Sequence, residues 1–514
     1  IKTHNRSYTN VLILMASAFA SENMYDEAIS ILHNTLDECL KGNDGNNKYT
    51  IQVVSLLFDF YQNIDSNQYR YWGDKITEYL KTHSENSSIK AWLLSQIGMS
   101  IGSKNYIEAE HYLQESINCY KDIGDKSLLY ASALNLLCCY KLGANLDADI
   151  SRYVSEDINL IEKDTKYNLL NLDQKNFNSV WNTFYKQFNM VISNALLGNS
   201  ESLSGFAYNG ILCVKGTLLK RRIEIHDFVR DCDDTELKDL YDKFIHSRGK
   251  NVNVSNDIHY GYAFEGELLE SLNKNGFSSN YFDIVWQDIA NAIPKNSIAV
   301  EFYLCDGHYY AVCVDKKCEY PYKFRLCPEE DFEVLIDGSS HNIDIYQSLY
   351  KLVWEHIEKE FDEINSVYFS ADKILHALPL EYAACLDGQR MSDKYNMVRL
   401  SSTRELVEAK PINEFHSAVL FGGLNYDIDK NIMIAESRKL GTRSLVASRA
   451  VENETLRYGV SYLPETKIEV QDVAKALKSN GVDCITEFGN TGTEESFRSL
   501  SDKSVEILHF IAGR

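Results

Sequence analysis

The chain has almost no proline. Six of its 514 residues are Pro and the first 180 contain none, so nothing there interrupts long helices. It also lacks any C-x-x-C pair. Its twelve Cys are scattered, with only Cys138 and Cys139 adjacent. Most lie in apolar contexts, where a free thiol behaves as a small hydrophobe, and a reducing cytoplasm suits such a set. There is no H-E-x-x-H and no EF-hand loop, and the glycine pair Gly422-Gly423 is not continued by G-K-[ST]. No metal constellation or phosphate cradle is announced, and no cofactor is expected. Apolar runs such as VLILMASAFA at 11–20 are too short and too interrupted to span a bilayer. No basic segment precedes that run and the chain does not open on Met, so both ends read as coverage boundaries rather than natural termini. Cations are in deficit: the net charge of −22 repels a phosphate backbone and argues against nucleic acid as a direct partner.

What is present is a globular composition on a chain long enough for two or three domains. In the segment Thr9 to Lys41, Leu12, Met15, Ala16 and Phe19 recur at helical spacing. A turn at Glu22–Asn23 separates them from Tyr25, Ala28, Ile31, Leu32 and Leu36. The block Ile89–Tyr120 repeats the arrangement, with Leu93, Ile97 and Ile101 before the turn and Tyr106, Ala109, Tyr112, Leu113 and Ile117 after it. Between them, Leu57, Phe60 and Tyr61 precede Tyr71, Trp72, Ile76 and Tyr79. A weaker copy places Ala133, Leu136 and Tyr140 before Leu146, Ala148 and Ile150. Ala28, Trp72, Ala109 and Ala148 step by roughly 40 residues, a period of helical solenoids. The run resembles a divergent tetratricopeptide array, with MYDEA and YIEAE as its best matches. A non-repeating helical bundle is the alternative. Either one offers a protein-binding surface rather than a catalytic centre.

The second half changes period. FAYNGILCVKGTLLK (206–220) is strongly apolar and leads into a polar helical stretch to about residue 248. SIAVEFYLC (297–305) and HYYAVCVD (308–315) flank Asp306-Gly307, a two-residue hairpin signal. A helix is predicted over 346–361, a strand over 366–371, and in DKILHALPLEYA (372–383) a turn followed by a Pro-opened short helix. From Ser417 a strand (417–423), a helix (463–481), a strand (482–489), a short helix capped by Thr493 (493–502) and a strand (505–513) follow. This β-α-β-α-β run predicts a parallel sheet of order 2-1-3 with helices on its faces. Its chemistry would sit beyond the carboxyl ends of SAVLFGG and VEILHFIAG.

In order and spacing, AYNGILCVKG (207–216), IAVEFYL (298–304), LYKLVWEHIE (349–358), VYFSADKILHALPLEYA (367–383), VLFGGLNYD (419–427), LPETKIEV (463–470) and VEILHFIA (505–512) resemble the CHAT family. These are caspase-like domains associated with tetratricopeptide repeats and related to separase. The resemblance covers roughly Phe184 to Arg514. It implies an α plus α/β architecture: helical repeats at 1–180, a helical connector at 181–290, the amino-terminal CHAT part at 291–416 and a caspase-like part at 417–514. It implies a cysteine endopeptidase cleaving a specific protein, gated by a protein regulator bound to the repeats, in a bacterial defence system. No membrane is implied as partner, and the oligomeric state stays open.

In such sites a Cys thiolate attacks the scissile carbonyl, a His passes the proton to the leaving amine, and backbone N–H groups hold the oxyanion. The family's His-Gly, expected about where Gly513-Arg514 stands, is missing, and the Cys would follow about 50 residues later. His509 is the catalytic candidate within the chain, with a buried core histidine as the other reading. Gly422, Gly423 and Gly513 are the site-forming candidates. His376 reads as support for its turn. Cys484 points into a strand interior and Cys385 sits on a helix flank, neither beside a basic partner. Asp372 and Glu381 orient the neighbouring turn or cap it. The long connection Asn425–Tyr462, with Arg438, Arg443, Arg449 and Arg457, shapes a substrate pocket that orders on partner binding, or is a solvated insertion. Against the peptidase stands a non-catalytic scaffold that has lost its dyad. A nucleotide-binding α/β domain lacks a fingerprint.

Overall fold

The computed structural model describes residues 2–41, isolated positions between 53 and 60, 87–249, 267–336, 344–408, 415–425, 432, 435 and 464–511, with short gaps inside these ranges. The chain divides into two compact units, one reaching to Glu408 and the other built from residues 409–514. Together they are α plus α/β.

In the first unit, α1 (Lys2–Ser21) and α2 (Tyr25–Lys41) turn at Glu22–Asn23. There Asn23 adopts a φ of 60° and the Met24 N–H donates to Phe19 O. Ala16 and Ala28 are completely buried, as expected of small residues that let two helices approach. α3 (Ser88–Ile101) and α4 (Tyr106–Asp122) start on Ser87 and Asn105, whose side-chain oxygens accept the N–H groups of Lys90 and Glu108. A Cβ on Gly98 would stand 2.7 Å from Leu113 Cγ, so the absence of a side chain sets the separation of this pair. α5 (Leu128–Ala144), α6 (Ser151–Asn171), α7 (Gln174–Leu197) and α8 (Glu201–Val214) follow, and from α3 onward each helix packs on the next in chain order. α9 (Thr217–Asp231) and α10 (Thr235–Gly249) complete the polar stretch.

One repeat assignment shifts. Asp149 Oδ1 accepts the Ser151 N–H and the helix begins there, so Ala148 precedes it. The position equivalent to Ala28 and Ala109, each the fourth residue of its helix, is Val154, which is completely buried. Trp72, Ile76 and Tyr79 lie outside the described residues.

After α11 (Trp286–Ala292) comes a five-stranded mixed sheet of order β3-β2-β1-β4-β5. β1 (Ser297–Cys305) and β2 (His308–Val314) form the predicted hairpin, with φ of 48° at Asp306 and 71° at Gly307. Both central residues thus take the positive φ that a two-residue turn demands. β3 (Tyr322–Pro328) is antiparallel to β2, whereas β4 (Ser366–Ser370) and β5 (Asn396–Leu400) run parallel to β1. Neither β3 nor β5 is among the strands predicted above.

The sheet is buried on both faces. Ala299, Tyr303 and Val312 join one continuous core with the helices, back to Ile13. Ile298, Val300 and Phe302 join a second core with the helical segment 345–358. That segment departs from the predicted 346–361 helix: α13 (Ile345–Leu349) and α14 (Glu355–Glu358) flank a turn of π-helix over Tyr350–Trp354. The wider turn belongs to packing. Trp354 stands edge-on to Phe302 and Phe369, with ring centroids 5.5 and 5.6 Å away, and its indole N–H donates to Leu380 O. Each such aromatic pair adds about 0.5–1.5 kcal/mol beyond burial. α12 (Glu329–Ile336), α15 (Met391–Lys394) and α16 (Glu405–Glu408) fill the remaining connections.

The second unit is a parallel sheet of order β7-β6-β8, the predicted 2-1-3. β6 (Ser417–Leu424), α17 (Pro464–Ser479), β7 (Asp483–Gly489), α18 (Glu494–Arg498) and β8 (Ile507–Phe510) succeed one another. Thr493 caps α18, its hydroxyl accepting the Ser496 N–H. Ala418 and Leu420 pack on Val470 and Ala474 of α17. On the opposite face Phe421 gathers Phe497 and Phe510, which stay half exposed. Among the described residues no helix is long and apolar enough to cross a membrane.

Candidate active site

The strand ends of the second unit carry the residues singled out for chemistry. β6 closes on Gly422-Gly423, and glycine is needed at both. A Cβ on Gly422 would fall 2.6 Å from Thr466 O and 2.5 Å from Val470 Cγ2. Gly423 has a φ of 56°, and a Cβ there would meet Lys467 Cβ at 2.6 Å. The Gly423 N–H donates to Thr466 Oγ1 at 2.8 Å. The first turn of α17 is therefore pressed against the strand end, which fits close backbone approach. Beyond it, the Asn425 N–H reaches Gly489 O, and the Ile511 N–H reaches Phe421 O.

His509 sits on the neighbouring strand, in register with Leu420. Its side chain is 34% exposed, and among the described residues it faces Glu469 of α17. Its Nε2 is out of contact with water yet has no hydrogen-bond partner among the described residues, and lies 3.9 Å from a Glu469 carboxylate oxygen. The structure thus brings Gly422, Gly423 and His509 to adjacent strands of one sheet. Gly513, Arg438, Arg443, Arg449 and Arg457 lie outside the described residues. Cys484 is half-buried on β7, its thiol donating to Val482 O at 3.5 Å.

In the first unit, Cys385 is buried in a turn between Ala384 and Arg390 rather than on a helix flank. Contrary to expectation a basic partner does stand beside it, since Lys394 Nζ donates to its sulfur at 3.6 Å. Yet burial, then the Glu358 carboxylate, pushes the thiol above the ordinary range, away from a nucleophile's requirement. Asp372 does not cap its turn; its carboxylate accepts the Leu304 N–H at 2.9 Å and ties the end of β4 to β1. Glu381 holds Arg399 through two parallel bonds of 2.7 and 2.8 Å. Arg399 also donates to Leu378 O and His376 O, so the 376–381 turn is clamped to β5. The His376 imidazole is exposed. Partial desolvation by the surrounding protein, then the Lys215 charge, holds it below the ordinary His range.

A buried polar cluster escaped sequence reasoning although four of its members, Tyr208, Lys215, Glu301 and Ser370, stand in the CHAT-like motifs. Lys215, at the end of α8, lies 2.8 Å from the fully buried Glu301 of β1 and donates to Ser370 O and Oγ at the end of β4. Glu301 in turn accepts from the Thr403 N–H and hydroxyl at 2.7 Å and from Ser402. Tyr208 reaches Thr403, and Arg404 donates to Leu212 O. A charged residue within each of two apolar motifs, VKG and AVEF, was the available signal, because an unpaired charge is not left in a core.

Comparison with known families finds the CHAT domain over residues 344–513. No curated protein matches the chain.

Proposed function

The chain carries a CHAT domain, a caspase-like and peptidase-related fold, and from that premise we propose that the protein is a cysteine endopeptidase of the caspase–separase kind. The observation that carries the reading is the parallel 2-1-3 sheet, whose central strand ends on Gly422-Gly423 beside the strand that bears His509. In this reading a Cys thiolate attacks the substrate carbonyl, a His gives the proton to the departing amine, and backbone N–H groups at the strand ends hold the oxyanion. His509 lies upstream of the position the dyad His occupies in this family resemblance. The reading therefore requires a His-Gly and a later Cys in residues that follow Arg514.

Regulation by a partner protein on the helical repeats belongs to the same proposal, as does a defence role in the cytoplasm. Its support is mechanical: the helices and the five-stranded sheet share one core, and Lys215 bridges them. The rival reading, a non-catalytic scaffold, draws on Gly513-Arg514 standing where His-Gly is expected.

Peptide mapping of the natural gene product past Ala512 tests the proposal. A His-Gly and a later Cys, whose change to Ala abolishes cleavage of a protein substrate, supports the peptidase. A gene product without them leaves the scaffold.

A further inference from the structure

Among the described residues of the first unit, the outer edge of the five-stranded sheet has no further strand. β5 pairs only with β4, and among the described residues no other segment hydrogen-bonds to its backbone. The Asn396 N–H is spent on Asn365 O. Since strand groups alternate direction, the N–H and C=O of Met397 and Arg399 face away from the sheet.

Along this edge runs a groove of about 800 Å³ between the 376–382 turn and the residues Ser392, Tyr395, Asn396, Met397 and Arg399. Its walls are fixed. Trp354 holds Leu380 O, Arg399 holds Leu378 O, and Glu358 gathers Tyr350, Tyr395 and Lys394. Leu378, Pro379 and Met397 give it apolar surface, and the side chains of His376, Tyr382, Ser392 and Asn396 that line it make no hydrogen bond among the described residues. At the rim, Arg390 stacks over the rings of Tyr382 and Tyr346 at 5.6 and 5.8 Å, and among the described residues no carboxylate pairs with its guanidinium. Asp393 takes only the Arg390 backbone N–H. Arg390 is exposed, so an anion arriving at this rim meets a cation already oriented by two aromatic rings.

We propose that this edge and groove bind an extended peptide segment of a partner protein as a sixth strand, with an apolar side chain in the groove and a carboxylate beside Arg390. Backbone pairing to Met397 and Arg399 supplies affinity, and the groove and Arg390 supply selectivity, as in other strand-addition sites. The site stands on residues of the first unit and does not depend on catalysis, so its test is separate from that of the peptidase reading.

Random peptides displayed on phage are selected against the whole chain, and the enriched sequences are synthesised. The expected peptides alternate apolar and polar residues and include an acid. Methylating the peptide nitrogens at every second residue weakens binding at least about tenfold in one phase and little in the other. Met397→Pro, which removes an outward N–H without touching the β4 ladder, and Arg390→Glu each weaken binding comparably while circular dichroism stays unchanged. The methylation scan uses unaltered protein and decides the matter even if Met397→Pro fails to fold. No enrichment over an unrelated protein, or binding indifferent to alternate methylation, overturns the proposal. Binding indifferent to Arg390→Glu overturns its acidic part.

Discussion

Lys215 and Glu301 form an ion pair of 2.8 Å in the interior of the first unit, joining the end of α8 to the middle of β1. Neither charge has an alternative in water, since Glu301 is fully buried and the lysine side chain nearly so. Breaking such a pair by removing one partner strands the other charge and costs about 3–5 kcal/mol. Lys215→Met and Glu301→Gln should each lower stability by that order in urea unfolding. The double variant Lys215→Met/Glu301→Leu should recover at least part of the loss, because both charges then leave together. Equal and additive losses would show that the two residues act independently.

How far the sequence revealed this fold depends on how local each signal was. The β1–β2 hairpin was legible because Asp306-Gly307 alone supplies two positive φ values. The parallel β7-β6-β8 sheet was legible because a β-α-β-α-β succession calls for parallel strands joined by right-handed crossovers. β3 was within reach, since Tyr322, Phe324 and Leu326 alternate with Lys323 and Arg325 at the strand period, but the partner of the half-buried Lys323 is the carboxyl end of α7, far away in the chain. The π turn was hidden because it depends on where Trp354 must reach. At the site, the glycines were legible through their type and position at a strand end. The surroundings of His509 were not, because its neighbour Glu469 stands on α17, well before it in the chain.

Asp157 on α6 is fully buried, and neither carboxylate oxygen has a hydrogen-bond partner among the described residues. Burial, then the Glu156 charge, raises its pKa well above the ordinary carboxylate range. The folded state therefore favours the proton, so the stability it confers is complete below the unfolded pKa and is lost as pH rises through the folded one. Asp157→Leu should raise the melting temperature, and by more at pH 7 than at pH 4. An increase that does not depend on pH would assign the gain to packing alone.

Lys323 donates to Gly198 O at 2.6 Å and to Ala195 O, capping the carboxyl end of α7 with no carboxylate beside it among the described residues. Burial brings its pKa down to about 8. For a base whose folded pKa is depressed, the unfolded chain binds the extra proton between the two values, so stability attributable to this group rises with pH from about 8 towards 10.5. Tyrosines and cysteines titrate in the same window with the opposite sign. The comparison is therefore wild type against Lys323→Met, whose stability gap should move in favour of the wild type by on the order of 2 kcal/mol across that window. A constant gap would mean that Lys323 stays protonated throughout.

Arg399 ties β5 to the 376–381 turn through Glu381 and Leu378 O, and its planar fork also lies over the Phe369 ring at 5.2 Å. Lysine keeps the charge but cannot make two parallel bonds to Glu381 while reaching Leu378 O. Arg399→Lys should therefore free the turn more than it weakens the sheet, with a loss of about 1–3 kcal/mol in global stability. The sharper readout is local. Amide hydrogens of residues 376–382 should exchange several-fold faster, and those of β1 and β4 should be unchanged, because the strands keep their ladders. If β1 exchanges as fast as the turn, Arg399 supports the whole sheet and the turn has no separate clamp.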